Sequence, residues 1–117
     1  MDGKYAGRRK LYNMTSTKNA IPDSQEGIKN LPDLIRYSAQ KYPDRTALAS
    51  VDGISYNYRE LQQSAHYLAS MLHGTGIGAD DRVAILAENS PHWGIAYFGI
   101  LTAGAVTVPI LPDFQGP

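Results

Sequence analysis

Residues 81–109, "DRVAILAENSPHWGIAYFGILTAGAVTVP", decide the fold of this chain. They open with a near-continuous apolar run over Arg82 to Ala87, which is typical of a strand buried on both faces of a parallel sheet. A second short apolar run, Ala105 to Val108, predicts a second buried strand. A helical segment lies between them, so the stretch predicts a right-handed βαβ unit.

The helix of this unit has clear sequence boundaries. Ser90 is a good N-cap, Pro91 suits the first helical position, and Gly104 predicts the end. No charged residue lies between Glu88 and Asp113, which raises the question of a membrane span. Because Gly104 and Pro109 interrupt the apolar run, we expect a buried helix, a turn and a strand, and no transmembrane segment.

The preceding stretch, "GTGIGADDRVAIL" (residues 74–86), has the glycine content of a nucleotide-binding loop. A dinucleotide-binding loop follows a strand and opens a helix, whereas this one closes a helix and leads into a strand. The spacing is G-x-G-x-G, and no Gly-Lys-Ser/Thr follows. We therefore expect a turn without phosphate binding, with Gly74 ending the preceding helix in the left-handed conformation.

That preceding helix starts at Asn57, which has the capping-box spacing to Glu60. Its apolar residues recur at helical spacing, which predicts core packing: Tyr58, Leu61, Ala65, Leu68, Ala69 and Leu72. Upstream, Asp52-Gly53 between two apolar runs predicts a β-hairpin with strands at Thr46 to Val51 and Ile54 to Tyr58.

An earlier helix begins after Asn30, carries Asp33 in its first turn, and stops at Pro43. Its predicted buried face comprises Leu31, Leu34, Ile35, Ser38, Ala39 and Tyr42. Residues 1–29 are polar and have no signal-peptide core, which predicts a flexible N-terminal arm ahead of an ordered portion at 30–117. The expected fold class is α/β: a β-hairpin plus a βαβ unit with parallel strands and about three helices.

Composition narrows the function classes. The 117 residues are 43% hydrophobic and 19% charged, with eleven basic and eleven acidic residues. This balance gives no reason to expect nucleic acid as a partner. The chain has no cysteine, which excludes disulfides and fits a cytoplasmic protein. A two-stranded parallel unit leaves apolar faces uncovered, so we expect them to meet more of the same chain or another copy.

Residues that carry chemistry are few and scattered. The histidines His66, His73 and His92 have no carboxylate at metal-ligand spacing and are expected at the surface or rim. The adjacent carboxylates Asp80 and Asp81 lie on a turn and need not converge.

Three further residues are candidates for a site. Glu88 and Asn89 follow a parallel strand, where α/β proteins place ligands, which makes a small enzyme with its site there one hypothesis. Trp93 is expected in the core or an interface. We predict no catalytic, cofactor-binding or metal-binding residues in this chain.

Four motifs in order resemble one family, and they span most of the chain from Asn30 to Pro112. They are "YPDRTAL" (42–48), "YNYREL" (56–61), "DDRVAILAENSPHW" (80–93) and "GILTAGAVTVPILP" (99–112). They resemble the N-terminal part of the adenylate-forming, AMP-binding enzymes, which include acyl-CoA synthetases, luciferases and peptide-synthetase adenylation domains. Asn57, Asp80 and Thr102 stand where the family more often has threonine, glycine and lysine. The last two motifs look most like those of fatty-acyl-CoA synthetases.

The resemblance implies an incomplete large N-terminal domain of a probable long-chain fatty-acid-CoA ligase. Such enzymes use ATP, Mg²⁺ and CoA, but the family's phosphate loop, ribose-binding aspartate and catalytic lysine come after the last matched motif. The chain alone is therefore expected to be inactive and to bind none of these cofactors. Its expected partner is the remainder of the synthetase or a second copy. The alternative is a stand-alone interaction or oligomerisation module that has lost the chemistry.

Overall fold

The computed structural model describes residues 27–113 and residue 116. Its helices are α1 (Leu31–Lys41), α2 (Tyr58–Gly74) and α3 (Pro91–Thr102). Its strands are β1 (Thr46–Ala49), β2 (Ser55–Asn57), β3 (Arg82–Leu86) and β4 (Val106–Ile110). β1 pairs antiparallel with β2, and β3 pairs parallel with β4. The predicted α/β class, hairpin plus βαβ unit, is confirmed, whereas residues 1–26 of the predicted arm lie outside the described residues.

The βαβ unit forms as its sequence signals predict. The Ser90 hydroxyl accepts a hydrogen bond from the Trp93 amide at 3.2 Å and caps α3, with Pro91 in the first turn. Gly104 follows the helix with φ of 82°. The parallel register runs from Arg82 beside Val106 to Leu86 beside Ile110, so β4 continues two residues beyond the predicted end. β4 contains Pro109, and a proline is tolerated in an edge strand. Among the described residues β4 is an edge strand, since its sheet has two strands.

The prediction that β3 is buried on both faces and that β4 is a second buried strand is wrong. On one face, Ile85 packs with Ile100 and Ala105 in the core beneath α3. On the other face, Leu86 is 70% exposed and β4 is exposed along most of its length. The reason is that the helices cover one face only, and nothing else within residues 27–113 packs against the other.

The glycine-rich loop closes α2, as predicted, but a different glycine does so. Gly74 is still helical, and Gly76 takes the left-handed conformation with φ of 89°. The Gly76 amide donates to the His73 carbonyl and the Ile77 amide to the Leu72 carbonyl, both at 3.0 Å. This pair of bonds is a Schellman motif, which needs a positive φ two residues later than sequence reasoning placed it.

The hairpin forms with shorter strands than predicted. The Gly53 amide donates to the Ser50 carbonyl at 3.2 Å and the Ser50 amide to the Ile54 carbonyl at 2.8 Å. Only Gly53 of the Asp52-Gly53 pair has a positive φ, so the turn is not the two-residue type in which both do. At its end, Asn57 and Glu60 form the predicted capping box and start α2.

The helices pack through small residues. α2 buries Leu61, Ala65 and Ala69, all on its predicted apolar stripe. On α1 the prediction is only partly right: Ile35 and Ala39 are buried, but three predicted residues are exposed, Leu31, Leu34 and Tyr42. Asp33 and Tyr37 are buried instead. The four buried positions fall on two sides of α1, because residues two apart lie about 200° apart on a helix. The predicted stripe assumed one side.

Candidate functional site

The end of β3, where Glu88 and Asn89 were predicted as the best-placed site residues, is an open groove. Its lining comes from the first strand and turn of the hairpin and the start of α3, namely Leu48, Ala49, Ser50, Val51, Asn89, Ser90 and Pro91. Glu88 is exposed and does not line the groove. Because no titratable side chain lines it, the groove offers no general acid or base. The structure does not make a small active site of this pair.

Polar side chains converge elsewhere, between α1, α2 and the end of α3. We call this the helical cleft; its polar lining is Asn30, Asp33, Arg36, Gln62, His66 and Thr102. Sequence reasoning missed it because each residue had a local explanation: Asn30 and Asp33 serve the helix start, and His66 was expected at the rim. The cleft measures about 140 Å³, whereas small-molecule sites typically measure about 300–1,000 Å³.

Asp33 is the centre of the helical cleft and is nearly fully buried. Its carboxylate accepts from Arg36 Nη2 at 3.1 Å and from the Lys29 amide at 3.2 Å. Its own amide donates to Asn30 Oδ1 at 2.8 Å, which is the predicted N-cap of α1. The buried carboxylate is thus paired with a guanidinium, as buried charges must be. The cleft therefore offers no unopposed charge to a phosphorylated ligand.

His66 lies half-buried at the wall of the same cleft. Burial lowers the pKa of its imidazole, because desolvation disfavours the charged form. A neutral imidazole beside an ion pair suits a solvated polar pocket. It does not make a nucleophile–base pair.

The other two histidines join elements of the fold. His73 Nε2 lies 2.9 Å from the carbonyl oxygen of Ala103, which links the ends of α2 and α3. His92 Nε2 lies 3.3 Å from the Tyr56 hydroxyl, which links the start of α3 to the hairpin. Trp93 stacks on Tyr97 at 5.3 Å and packs against the core, as predicted.

The turn carboxylates do not form a metal site. Asp81 Oδ2 accepts from the Gly78 amide at 2.8 Å, and Asp80 takes a positive φ of 66°. In the described part of the chain, no group of three or more acidic, histidine or cysteine side chains is placed to hold a metal ion. Together with the glycine loop that closes a helix, this means that residues 27–113 offer no set of side chains that fits ATP and Mg²⁺.

Within residues 27–113 and 116, none of the helices has both the length and the apolar character to cross a bilayer.

Comparison with known proteins places these elements in a family. A sequence model of the AMP-binding enzymes matches residues 35–117. The chain belongs to the AMP-binding enzyme family. This match includes the hairpin, α2 and the whole βαβ unit, and it confirms the family that the four ordered motifs predict.

The relatives are much longer than this chain. Surfactin synthase subunit 1 of Bacillus subtilis is 41% identical over 86 residues, covering 74% of this chain and 2% of that protein. The probable chloroplastic acyl-activating enzyme 16 of Arabidopsis thaliana is 36% identical over 101 residues, covering 84% and 14%. The Klebsiella oxytoca NpsA N-terminal subdomain superposes with a TM-score of 0.71 at 34% identity, covering 75% of this chain and 23% of that one.

These matches support the superfamily and not one branch of it. Peptide synthetases and acyl-activating enzymes both resemble the chain, so its likeness to fatty-acyl-CoA synthetases is not specific. The residues behind the branch prediction lie in β3, α3 and β4.

Proposed function

We propose that this chain is the structural N-terminal part of an enzyme that activates a carboxylate with ATP to give an acyl-adenylate and pyrophosphate. The chain alone supplies framework and no catalysis. The observation that carries this proposal is the family match over residues 35–117, combined with a helical cleft whose charges are already paired. Transfer of the adenylyl group to a carboxylate requires preorganised positive charges at the transferring phosphate. The described residues bring no such set of charges together.

The substrate that we propose is a long-chain fatty acid, with CoA as the acceptor of the activated acyl group. Support comes from the sequence of α3 and β4 and from an acyl-activating enzyme among the relatives. ATP, Mg²⁺ and CoA would be held by parts of the enzyme beyond the residues described. A cytoplasmic setting belongs to the same proposal, since the chain has no cysteine.

A second candidate function is activation of a building block for peptide synthesis. The observation that favours it is the 41% identity to surfactin synthase subunit 1. The two candidates share the adenylation step and differ in the carboxylate that is activated.

The test is ATP–pyrophosphate exchange, measured with fatty acids and with amino acids. The purified 117-residue chain should give no exchange with either set. A longer polypeptide that contains this sequence should give exchange with one set, which selects between the two candidates. Exchange catalysed by the 117-residue chain itself would contradict the proposal that it is framework only.

A further inference from the structure

The helical cleft takes no part in the proposed chemistry, and its lining suits a short piece of extended polypeptide. Three of its polar side chains, Asn30, Gln62 and Thr102, each carry both a hydrogen-bond donor and an acceptor, as a peptide backbone does. Ile35 and Ala65, which also line it, are buried and apolar. At about 140 Å³ the cleft lies below the range of small-molecule sites, so a peptide side chain suits it better than a separate molecule.

The described chain begins beside this cleft. Gly27 and Ile28 are half-buried, and the Lys29 amide donates to Asp33 Oδ2 at 3.2 Å. Asn30 itself lines the cleft. The residues before Gly27 are therefore attached at the edge of the cleft, and a segment tethered in this way acts at an effective concentration on the order of millimolar.

The last part of the N-terminal arm has side chains that complement the cleft. Residues 18–26, "KNAIPDSQE", hold Ile21 as their largest apolar side chain, with polar residues on both sides. Pro22 favours an extended backbone at Ile21. Asp23 brings a carboxylate close to Ile21 in sequence. The guanidinium of Arg36, in the wall of the cleft, has five N–H donors, of which the bond to Asp33 Oδ1 uses one.

The length of chain between Ile21 and Gly27 is sufficient for Ile21 to reach the cleft. Six residues separate the two positions, and an extended chain of six residues spans about 20 Å. α1 has 11 residues, which at 1.5 Å per residue make it about 16 Å long. Ile21 can therefore reach any part of the cleft that α1 borders.

We propose that residues 18–26 of this chain occupy the helical cleft. We call them the docking segment. Ile21 packs against Ile35 and Ala65, and the Asp23 carboxylate pairs with Arg36. Because the cleft lies between α1, α2 and the end of α3, the docking segment ties these three helices together. The inference goes beyond the proposed function, and it concerns a part of the chain outside the family match at 35–117.

Spin labelling tests the docking in the intact 117-residue chain. The chain has no cysteine, so Ala20→Cys provides a single attachment point for a nitroxide. Paramagnetic relaxation should broaden the NMR signals of the Gln62 and His66 amides beyond detection, since both residues line the cleft. Ala6→Cys, the matched label in the same arm, should leave these two signals sharp.

Two pairs of variants locate the contact. Gln62 lines the cleft, whereas its neighbour Gln63 is exposed and does not. Gln62→Ala should therefore restore part of the lost His66 signal, and Gln63→Ala should restore none. Within the arm, Ile21→Ser should lower the melting temperature by about 4 °C or more, because a buried aliphatic side chain is lost. Leu11→Ser, outside the docking segment, should leave the melting temperature unchanged.

Several results would overturn the docking proposal. One is sharp cleft signals with the label at residue 20 and also with Ser24→Cys, which repeats the measurement if a label at residue 20 blocks the contact. Others are equal broadening by the label at residue 6, or equal shifts in melting temperature from Ile21→Ser and Leu11→Ser.

A mixing experiment decides whether the docking segment comes from the same chain. Spin-labelled chain without isotopes is mixed with unlabelled, isotope-enriched chain. The proposal predicts sharp cleft signals in the enriched chain, and broadening there would make the arm of a second copy the occupant and contradict it. None of these measurements involves ATP–pyrophosphate exchange, so the docking and the proposed activity fail separately.

Discussion

Ile85 and Leu86 are neighbours in one strand with similar side chains and opposite surroundings. Ile85 is 6% exposed and packs under α3, whereas Leu86 is 70% exposed on the side of the β3–β4 sheet away from α3. Ile85 lies in the core of the βαβ unit, and Leu86 faces solvent. Both sides of the sheet carry apolar side chains, but within residues 27–113 helices cover only the side of Ile85.

The difference shows that an apolar run alone does not tell whether a strand is covered on one side or on two. Alternation is absent from β3 and β4, as in parallel strands that are covered twice. The described residues cover them once. The relatives are far longer than this chain, which covers 2% of surfactin synthase subunit 1 and 23% of the NpsA subdomain chain.

The largest expected effect comes from truncating the two neighbours separately. Ile85→Ala should lower the free energy of unfolding by about 3 kcal/mol, because it leaves a cavity among Ile100 and Ala105. Leu86→Ala should change it by less than about 0.5 kcal/mol, since the side chain is already exposed. Urea denaturation of the two variants measures both values. Equal losses would show that Leu86 is buried and not exposed as described.

The next effect tests the contact between α2 and α3 on the covered side. A Cβ on Gly99 would lie 2.5 Å from Leu68 Cδ2 and 2.9 Å from Leu68 Cβ. Gly99→Ala should therefore destabilise the chain by about 1–2 kcal/mol, since overpacking outweighs the gain in helix propensity.

Gly94→Ala is the control for that contact, since a Cβ there meets only the far end of Leu48. Rotation of this flexible side chain should make the substitution close to neutral in thermal melting. If both variants were equally stable, α2 and α3 would not be in the close contact described.

An effect of similar size separates the two glycines at the end of α2. Gly76→Ala should cost about 1–2 kcal/mol, because alanine at a φ of 89° is strained. Gly74→Ala should stabilise by up to about 1 kcal/mol, since Gly74 is helical and a Cβ there meets nothing within 4 Å. Opposite shifts in melting temperature support the Schellman cap at Gly76; the reverse order would restore Gly74 as the terminator.

The smallest effect is the pH dependence of the helical cleft. Burial holds the pKa of His66 below its value in the unfolded chain, so the unfolded state binds more protons as the pH falls. The stability contributed by the neutral His66 is complete above the unfolded pKa of about 6.5. It is lost as the pH falls from there through the lower pKa of the folded state. His66→Gln should reduce the loss of stability between neutral and mildly acidic pH, whereas His92→Gln, at an exposed position, should keep the full loss.

Elements with local signals were predictable from sequence. Capping residues marked the starts of all three helices, because a side chain that bonds first-turn amides acts within three residues. Gly104 marked the end of α3 because glycine readily takes the positive φ found there. The Gly74 prediction was wrong because three glycines lie within five residues and each can take a positive φ.

Features that depend on distant residues were not predictable. The two-stranded unit predicts an uncovered apolar face, but the exposure of Leu86 in particular depends on which side of the sheet the helices cover. The two buried sides of α1 depend on its packing against α2 and α3, which come later in the chain. The helical cleft combines residues from three helices, none at motif spacing. That no set of residues converges on a catalytic site stays a prediction.

Our central proposal is that this sequence is part of a larger carboxylate-activating enzyme. The most direct measurement is the mass of the native polypeptide, detected in its own cells with an antibody raised against residues 30–113. We expect a band several times heavier than 12.8 kDa. A single band at 12.8 kDa would contradict it, because the cell would then make the uncovered face as a finished surface.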